Sequence, residues 1–151
     1  MKQSAGILLY RKVQASLQVM LVHPGGPFWK NKDSGSWSIP KGEFTNDESP
    51  LEAAIREFEE ETGFKPLGKF LELTPVKLKS NKVVYAWACE QDLDVSNIVS
   101  NEFKLEWPPK SGIIKVFPEV DKAGWFSIDD AIQKLNPSQR DFILQLLVLP
   151  I

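Results

Sequence analysis

Four glutamates fall within the eight residues from Arg56 to Gly63, Arg-Glu-Phe-Glu-Glu-Glu-Thr-Gly. Three of them, Glu57, Glu60 and Glu61, are spaced by three and four residues. At 3.6 residues per turn these three share an arc of about 100°, with Ala53 and Ala54 among them, while Glu59 points elsewhere. Neighbours at such spacings stand ~5–6 Å apart, so the carboxylates repel one another. They also fall in the last turns of a helix, where the macrodipole disfavours each anion by ~0.3–1 kcal/mol. That last turn holds no Lys or Arg. A local rule broken inside an otherwise well-specified helix marks a functional site. The chemistry indicated is a hard divalent cation, Mg²⁺ with Mn²⁺ as a substitute, bound through carboxylate oxygens with positions kept for water or phosphate. The alternative is a solvated acidic face, the usual role of a Glu-rich helix surface. Ala53 and Ala54 are expected to leave room for the ligand.

The helix carrying these groups has clear ends. Ser49, Pro50 and Glu52 supply an N-cap, a first-turn proline and a capping box, and Gly63 suits the left-handed C′ position, which predicts a helix from Pro50 to Thr62. Leu51, Ile55, Phe58 and Thr62 form the stripe expected to pack on a sheet.

That sheet is predicted from SAGILLYR and LQVMLVH, two strands joined through KVQAS. The thirteen residues PGGPFWKNKDSGS then read as a surface loop. Trp37–Ile39 is expected as a short strand stopped by Pro40, and KFLELTPVKL and NKVVYAWACE as two longer strands meeting near Lys79–Asn81. Residues 91–112 read as irregular, and IIKVF as a further short strand. WFSIDDAIQKLN is predicted helical with Ser127 as cap, and SQRDFILQLLVLP helical with Ser138 as cap. Strands, an inserted helix, more strands and terminal helices describe an α/β (α+β) sandwich, one domain over residues 1–151.

Composition narrows the function class. The 151 residues are 42% hydrophobic and 25% charged, with no apolar run long enough to cross a bilayer and no signal-peptide pattern at the N-terminus. The single cysteine, Cys89, lies in the apolar run VVYAWAC and is expected to pack in the core, which with the missing leader predicts a cytoplasmic protein. A net charge of −2 argues against a broad nucleic-acid surface.

From Gly42 the chain reads GEFTNDESPLEAAIREFEEETGF: Gly42, five residues, Glu48, seven residues, Arg56-Glu57-Phe58, one residue, Glu60-Glu61, one residue, Gly63-Phe64. This resembles the Nudix box, the signature of hydrolases acting on a nucleoside diphosphate linked to another group. The resemblance implies a Nudix-type α/β/α sandwich, with a mixed sheet between helices and the box as loop, helix and loop. It implies metal-ligand roles for Glu57, Glu60 and Glu61, joined by the Gly42 carbonyl, and bracing roles for Glu48, Arg56 and Gly63. Arg56 has a second reading, a surface pair with Glu52 four residues back. Lys41 is a candidate phosphate contact or an ordinary exposed lysine. FPEVDKAGWF resembles a segment of diadenosine polyphosphate hydrolases, where a glutamate outside the box serves as ligand or base; Glu119 holds that position.

The implied partner is a nucleotide. Phe28, Trp29, Tyr85 and Trp87 offer flat surfaces for a base, with core packing the alternative for the last two. Lys30 and Lys32 stand near Trp29 and could steer phosphates, with a solvated pair the alternative, and His23 is read as structural. A proton acceptor for the attacking water is sought among Glu119, Glu57, Glu60 and Glu61. The resemblance favours a nucleoside triphosphate or dinucleoside polyphosphate, with ADP-ribose or an RNA 5′ end as alternatives. A catalytically silent nucleotide-binding module is the reading from another class.

Overall fold

The protein is described over residues 2–151 by a computed structural model. The first two apolar segments form β1 (Lys2–Val13) and β2 (Ser16–Pro24), antiparallel with Tyr10 opposite Val19. Gln14 and Ala15 turn between them with φ of 51° and 67°, the positive values a two-residue hairpin needs to match strand twist. β3 (Lys41–Phe44) runs antiparallel to the start of β1 and leads into α1 (Pro50–Thr62). Then follow β4 (Phe70–Glu72), β5 (Val76–Leu78), β6 (Lys82–Glu90), β7 (Glu102–Glu106), β8 (Ile114–Pro118) and β9 (Val120–Ser127), with α2 (Ile128–Lys134) and α3 (Arg140–Leu147) closing the chain.

Seven strands make one mixed sheet in the order β4-β6-β1-β2-β9, with β3 also on β1 and β5 also on β6. β1 and β6 are parallel, and the other pairings are antiparallel. Residues 5–10 of β1 are buried without interruption, as a strand covered on both faces requires. The period of two divides its side chains between two cores. Leu8, Tyr10, Val19 and Leu21 pack with Ala131 of α2, Leu135 just after it, and Phe142 and Leu146 of α3. Ala5, Ile7, Leu9 and Met20 pack with Ala53, Ala54 and Phe58 from α1. The fold is the α/β/α sandwich expected, and no helix among the described residues is long and apolar enough to cross a membrane.

Several elements differ from expectation. The buried face of α1 is Ala53, Ala54, Glu57, Phe58 and Thr62, while Leu51 and Ile55 are only half-buried. The helix is therefore rotated toward its glutamates: the two alanines are fully buried and let α1 approach the sheet, and they do not open a space for ligand. Trp37 and Ser38 make isolated bridges to Leu135 and Val22, and the strand proper starts at Lys41, beyond Pro40. KFLELTPVKL divides into β4 and β5, both on β6. Residues 91–112 contain β7, which pairs with β8 in a separate two-stranded ribbon. Trp125–Ser127 ends β9, so α2 starts after Ser127, whose hydroxyl accepts from the Asp130 amide as expected of its cap. Ser138 does not cap α3: it lies in a 3₁₀ turn, Pro137–Gln139, capped by Asn136.

Candidate active site

The box helix and the strand before it meet at one close contact. A Cβ on Gly42 would stand 2.0 Å from Glu57 Oε2, so residue 42 must lack a side chain for the Glu57 carboxylate to lie against β3. Glu57 is 8% exposed. Burial pushes its carboxyl up, the Arg56 hydrogen bond opposes this, and the charges of Glu60 and Glu119 add to the upward push. Glu61 is driven further, to about 8, by burial and then by Glu57, although the Lys41 amide donates to its Oε1 at 3.3 Å. Glu119 is raised by burial and then by Glu60. Glu57, Glu60, Glu61 and Glu119 thus form one electrostatic unit, although Glu119 is far from the others in sequence.

Arg56 does not pair with Glu52. Its Nε donates to Glu48 Oε2 at 3.1 Å, and its Nη1 to Glu57 Oε1 at 2.9 Å and Glu60 Oε2 at 3.2 Å. These bonds hold the Glu48 carboxyl below its usual range and the guanidinium firmly charged. One planar side chain therefore ties the loop before α1 to two glutamates on it. At the far end of the helix, Gly63 adopts φ 78° and its amide donates to the Glu59 carbonyl.

The cation-free C-terminus of α1 is completed by backbone amides. Asn101 N donates to Glu60 O at 2.8 Å and Val99 N to Thr62 O at 2.9 Å. Asn101 O in turn accepts from Glu119 N at 2.8 Å, and Glu119 O accepts from Gly25 N at 2.9 Å. The segment that precedes β7 thus satisfies the helix end and fixes Glu119 beside it.

A cleft of about 230 Å³ opens here, lined by Lys41, Glu61, Glu119 and Trp29 with Ser38, Asn136 and Gln139. Burial pushes the Lys41 ammonium down and Glu61 opposes it. Trp29 is 38% exposed, with Lys32 Nζ 5.0 Å from its ring centroid. Lys30 is exposed and outside the lining. Tyr85 is also absent from it, half-buried against Phe44 at 6.0 Å on the α1 side of the sheet, and Trp87 packs against that same core. His23 is buried, with ring nitrogens 2.9 Å from Asp121 Oδ1 and 2.7 Å from the Lys32 carbonyl, which anchors the loop.

Ser38, Asn136 and Gln139 had no signal in the sequence, because residues 38 and 139 meet across 101 positions. Gln139 Oε1 accepts from Ile39 N at 3.0 Å, and its Nε2 donates to Ser38 Oγ at 3.0 Å. Asn136 Oδ1 accepts from Ser138 N and Oγ, which orients the carboxamide and leaves its NH₂ for a ligand.

Among the described residues no three His, Cys, Asp or Glu side chains stand in finished coordination geometry. The donor chemistry nonetheless fits a hard cation. Glu57, Glu61 and Glu119 offer oxygens, and all three are pushed toward their neutral forms by burial first and then by neighbouring carboxylates. A divalent ion would offset both effects, and oxygen-only ligands suit Mg²⁺ or Mn²⁺ better than softer metals.

A family model described as the NUDIX domain matches residues 2–146. The chain belongs to the Nudix family. Solved structures share this Nudix fold. An Ap4A hydrolase binary complex from C. elegans is 20% identical with a TM-score of 0.61, covering 99% of this chain and 100% of that one. The NUDIX domain of Shewanella oneidensis NrtR, complexed with ADP ribose, is 17% identical with a TM-score of 0.64, covering 96% and 85%. An octanoyltransferase from Myxococcus xanthus is 29% identical over 101 residues, 67% of this chain and 25% of that protein. The Nudix chain thus spans about a quarter of that relative's length.

Proposed function

We propose that this Nudix protein hydrolyses a pyrophosphate bond in a nucleoside diphosphate linked to another group, a nucleoside triphosphate or dinucleoside polyphosphate foremost. One observation carries the reading: Glu61, Glu119, Lys41 and Trp29, distant in sequence, line one cleft. Acidic groups for a metal, a cation for phosphate and a flat ring for a base are the three parts such a substrate needs. Likeness in fold to an Ap4A hydrolase over both full chains supports the substrate class, and likeness to a domain holding ADP ribose keeps ADP-ribose as the second substrate.

Glu57, Glu60, Glu61 and Glu119, with the Gly42 carbonyl, would hold Mg²⁺, which neutralises phosphate oxygens and acidifies water when bound. The chain's own groups do the rest. Lys41 Nζ binds a phosphate oxygen, and burial, which pushes its ammonium toward the neutral form, is opposed by a bound anion. Trp29 stacks on the base, and the Asn136 NH₂ donates to an acceptor on its edge. Glu119, fixed beside the box helix by its backbone bonds to Asn101 and Gly25, is the candidate to accept a proton from the attacking water. Arg56 holds Glu57 and Glu60 in place.

The test is a panel of nucleoside triphosphates, Ap4A, ADP-ribose and 5′-triphosphorylated RNA with Mg²⁺, assayed for phosphate-containing products. Wild type turns over at least one member, and Glu60→Gln loses about 100-fold or more in kcat. No turnover of any member by wild type favours the silent binding module.

A further inference from the structure

The β7–β8 ribbon lies outside the main sheet, and two strands alone are marginally stable, so its packing partner is informative. The register places Phe103 opposite Phe117, their rings 5.9 Å apart on the half-buried face. Lys104, Val116 and Ile114 lie exposed on the opposite face.

The half-buried face rests on the first part of the cleft loop. A Cβ on Gly26 would stand 2.9 Å from Phe103 Cζ, and one on Gly25 would stand 2.0 Å from the Pro118 carbonyl oxygen. The loop passes under the ribbon with no space for side chains there. Beyond it, Phe28 meets Trp107 edge to face with centroids 5.3 Å apart, although Phe28 is 59% exposed. A phenylalanine so exposed contributes little burial, so core stability does not account for the pair. The second part of the loop has other anchors: the Lys32 carbonyl on His23, and Asp33 on Trp37 Nε1 and Lys134. The part that leads into Trp29 leans on the ribbon.

We propose that the β7–β8 ribbon is a specificity arm, in which Phe103 and Trp107 are positioning residues that hold the Gly25–Trp29 turn so that the Trp29 ring covers a nucleobase in the cleft. This rests on the nucleotide reading above and adds the element that sets base affinity. Loosening the arm lets Trp29 swing while Lys41 and the box-helix glutamates stay in place and Glu119 keeps its amide bond to the Asn101 carbonyl, so base binding weakens and phosphate binding does not.

Calorimetric titration separates these. Wild type and the Trp107→Ala, Trp107→Phe and Phe28→Ala variants receive α,β-methylene-ATP with Mg²⁺, and separately inorganic tripolyphosphate with Mg²⁺, which lacks a base. Both alanine variants weaken the nucleotide about 5- to 20-fold, leave tripolyphosphate within about 2-fold, and Trp107→Phe recovers most of the loss. Equal weakening of both ligands, or unchanged nucleotide affinity, overturns the arm. Phe28→Ala decides if Trp107→Ala does not fold, because residue 28, expected as a base platform, instead lies exposed on the loop and outside the cleft lining. Wild type binding neither ligand overturns the nucleotide reading and the arm with it, whereas wild-type binding without a base-selective loss overturns the arm alone.

Discussion

Gly42 and Glu57 show how one missing atom makes room for a buried carboxylate. A methyl group at residue 42 would overlap all three heavy atoms of the Glu57 carboxyl group. Gly42→Ala is therefore expected to displace Glu57, to lower stability by about 1–3 kcal/mol through overpacking, and to raise the Mg²⁺ concentration needed for half-maximal activity. Urea midpoints and Mg²⁺ titrations of the rate check both effects; a variant with unchanged Mg²⁺ dependence contradicts the placement. Arg56→Lys keeps the charge and loses the planar fork that reaches Glu48, Glu57 and Glu60 together. Its kcat is expected to fall about 10-fold or more while far-UV dichroism stays native. Wild-type kcat in that variant would show that orientation by Arg56 is unimportant.

At the scale of elements, the box helix depends on a segment distant from the box. The amide of Asn101 completes the Glu60 carbonyl, and the carbonyl of Asn101 receives the Glu119 amide. Asn101→Pro removes the first bond and is expected to lower stability by about 1–3 kcal/mol and to reduce kcat by displacing Glu119. Denaturant unfolding and steady-state kinetics read the two losses, and an unaffected kcat would detach Glu119 from the helix end. This segment also marks where the sequence was hard to read. The caps of α1 and the spacing of its glutamates were legible because they are local. The helix face was not: a wheel assigns apolar residues to the sheet, whereas here Glu57 takes a core-facing position and alanines permit the close approach. Pro108, Pro109 and Gly112 made residues 91–112 read as irregular and concealed β7, whose alternation is short and whose partner β8 is itself largely exposed. β9 was hidden because VDKAGWFS mixes charges and glycine in a strand whose pairing to β2 stabilises it. Ser38, Asn136 and Gln139 are brought to the cleft by tertiary structure alone.

For the whole molecule, clustering of acids at the site links folding, pH and metal. Glu61 takes up its proton in the folded protein near pH 8, against an ordinary value of 4.5, and burial raises Glu57 and Glu119 in the same direction. Between those limits the folded state binds more protons than the unfolded one, so metal-free stability falls as pH rises from about 4.5 to about 8. Below that window both states are protonated and the effect vanishes. Thermal unfolding in chelator is expected to show this decline, and Mg²⁺, the proposed ligand of the ionised cluster, is expected to flatten it. A metal-free stability that rises across the window contradicts the burial of uncompensated acids.

The most direct measurement is a Mn²⁺ titration followed by electron paramagnetic resonance, with α,β-methylene-ATP present, for wild type and a Glu57→Gln/Glu61→Gln variant. Metal binding by the acidic cluster predicts that wild type immobilises Mn²⁺ together with the nucleotide, and that the variant weakens the ion by about tenfold or more. Equal Mn²⁺ binding by both proteins, or none by wild type, contradicts it.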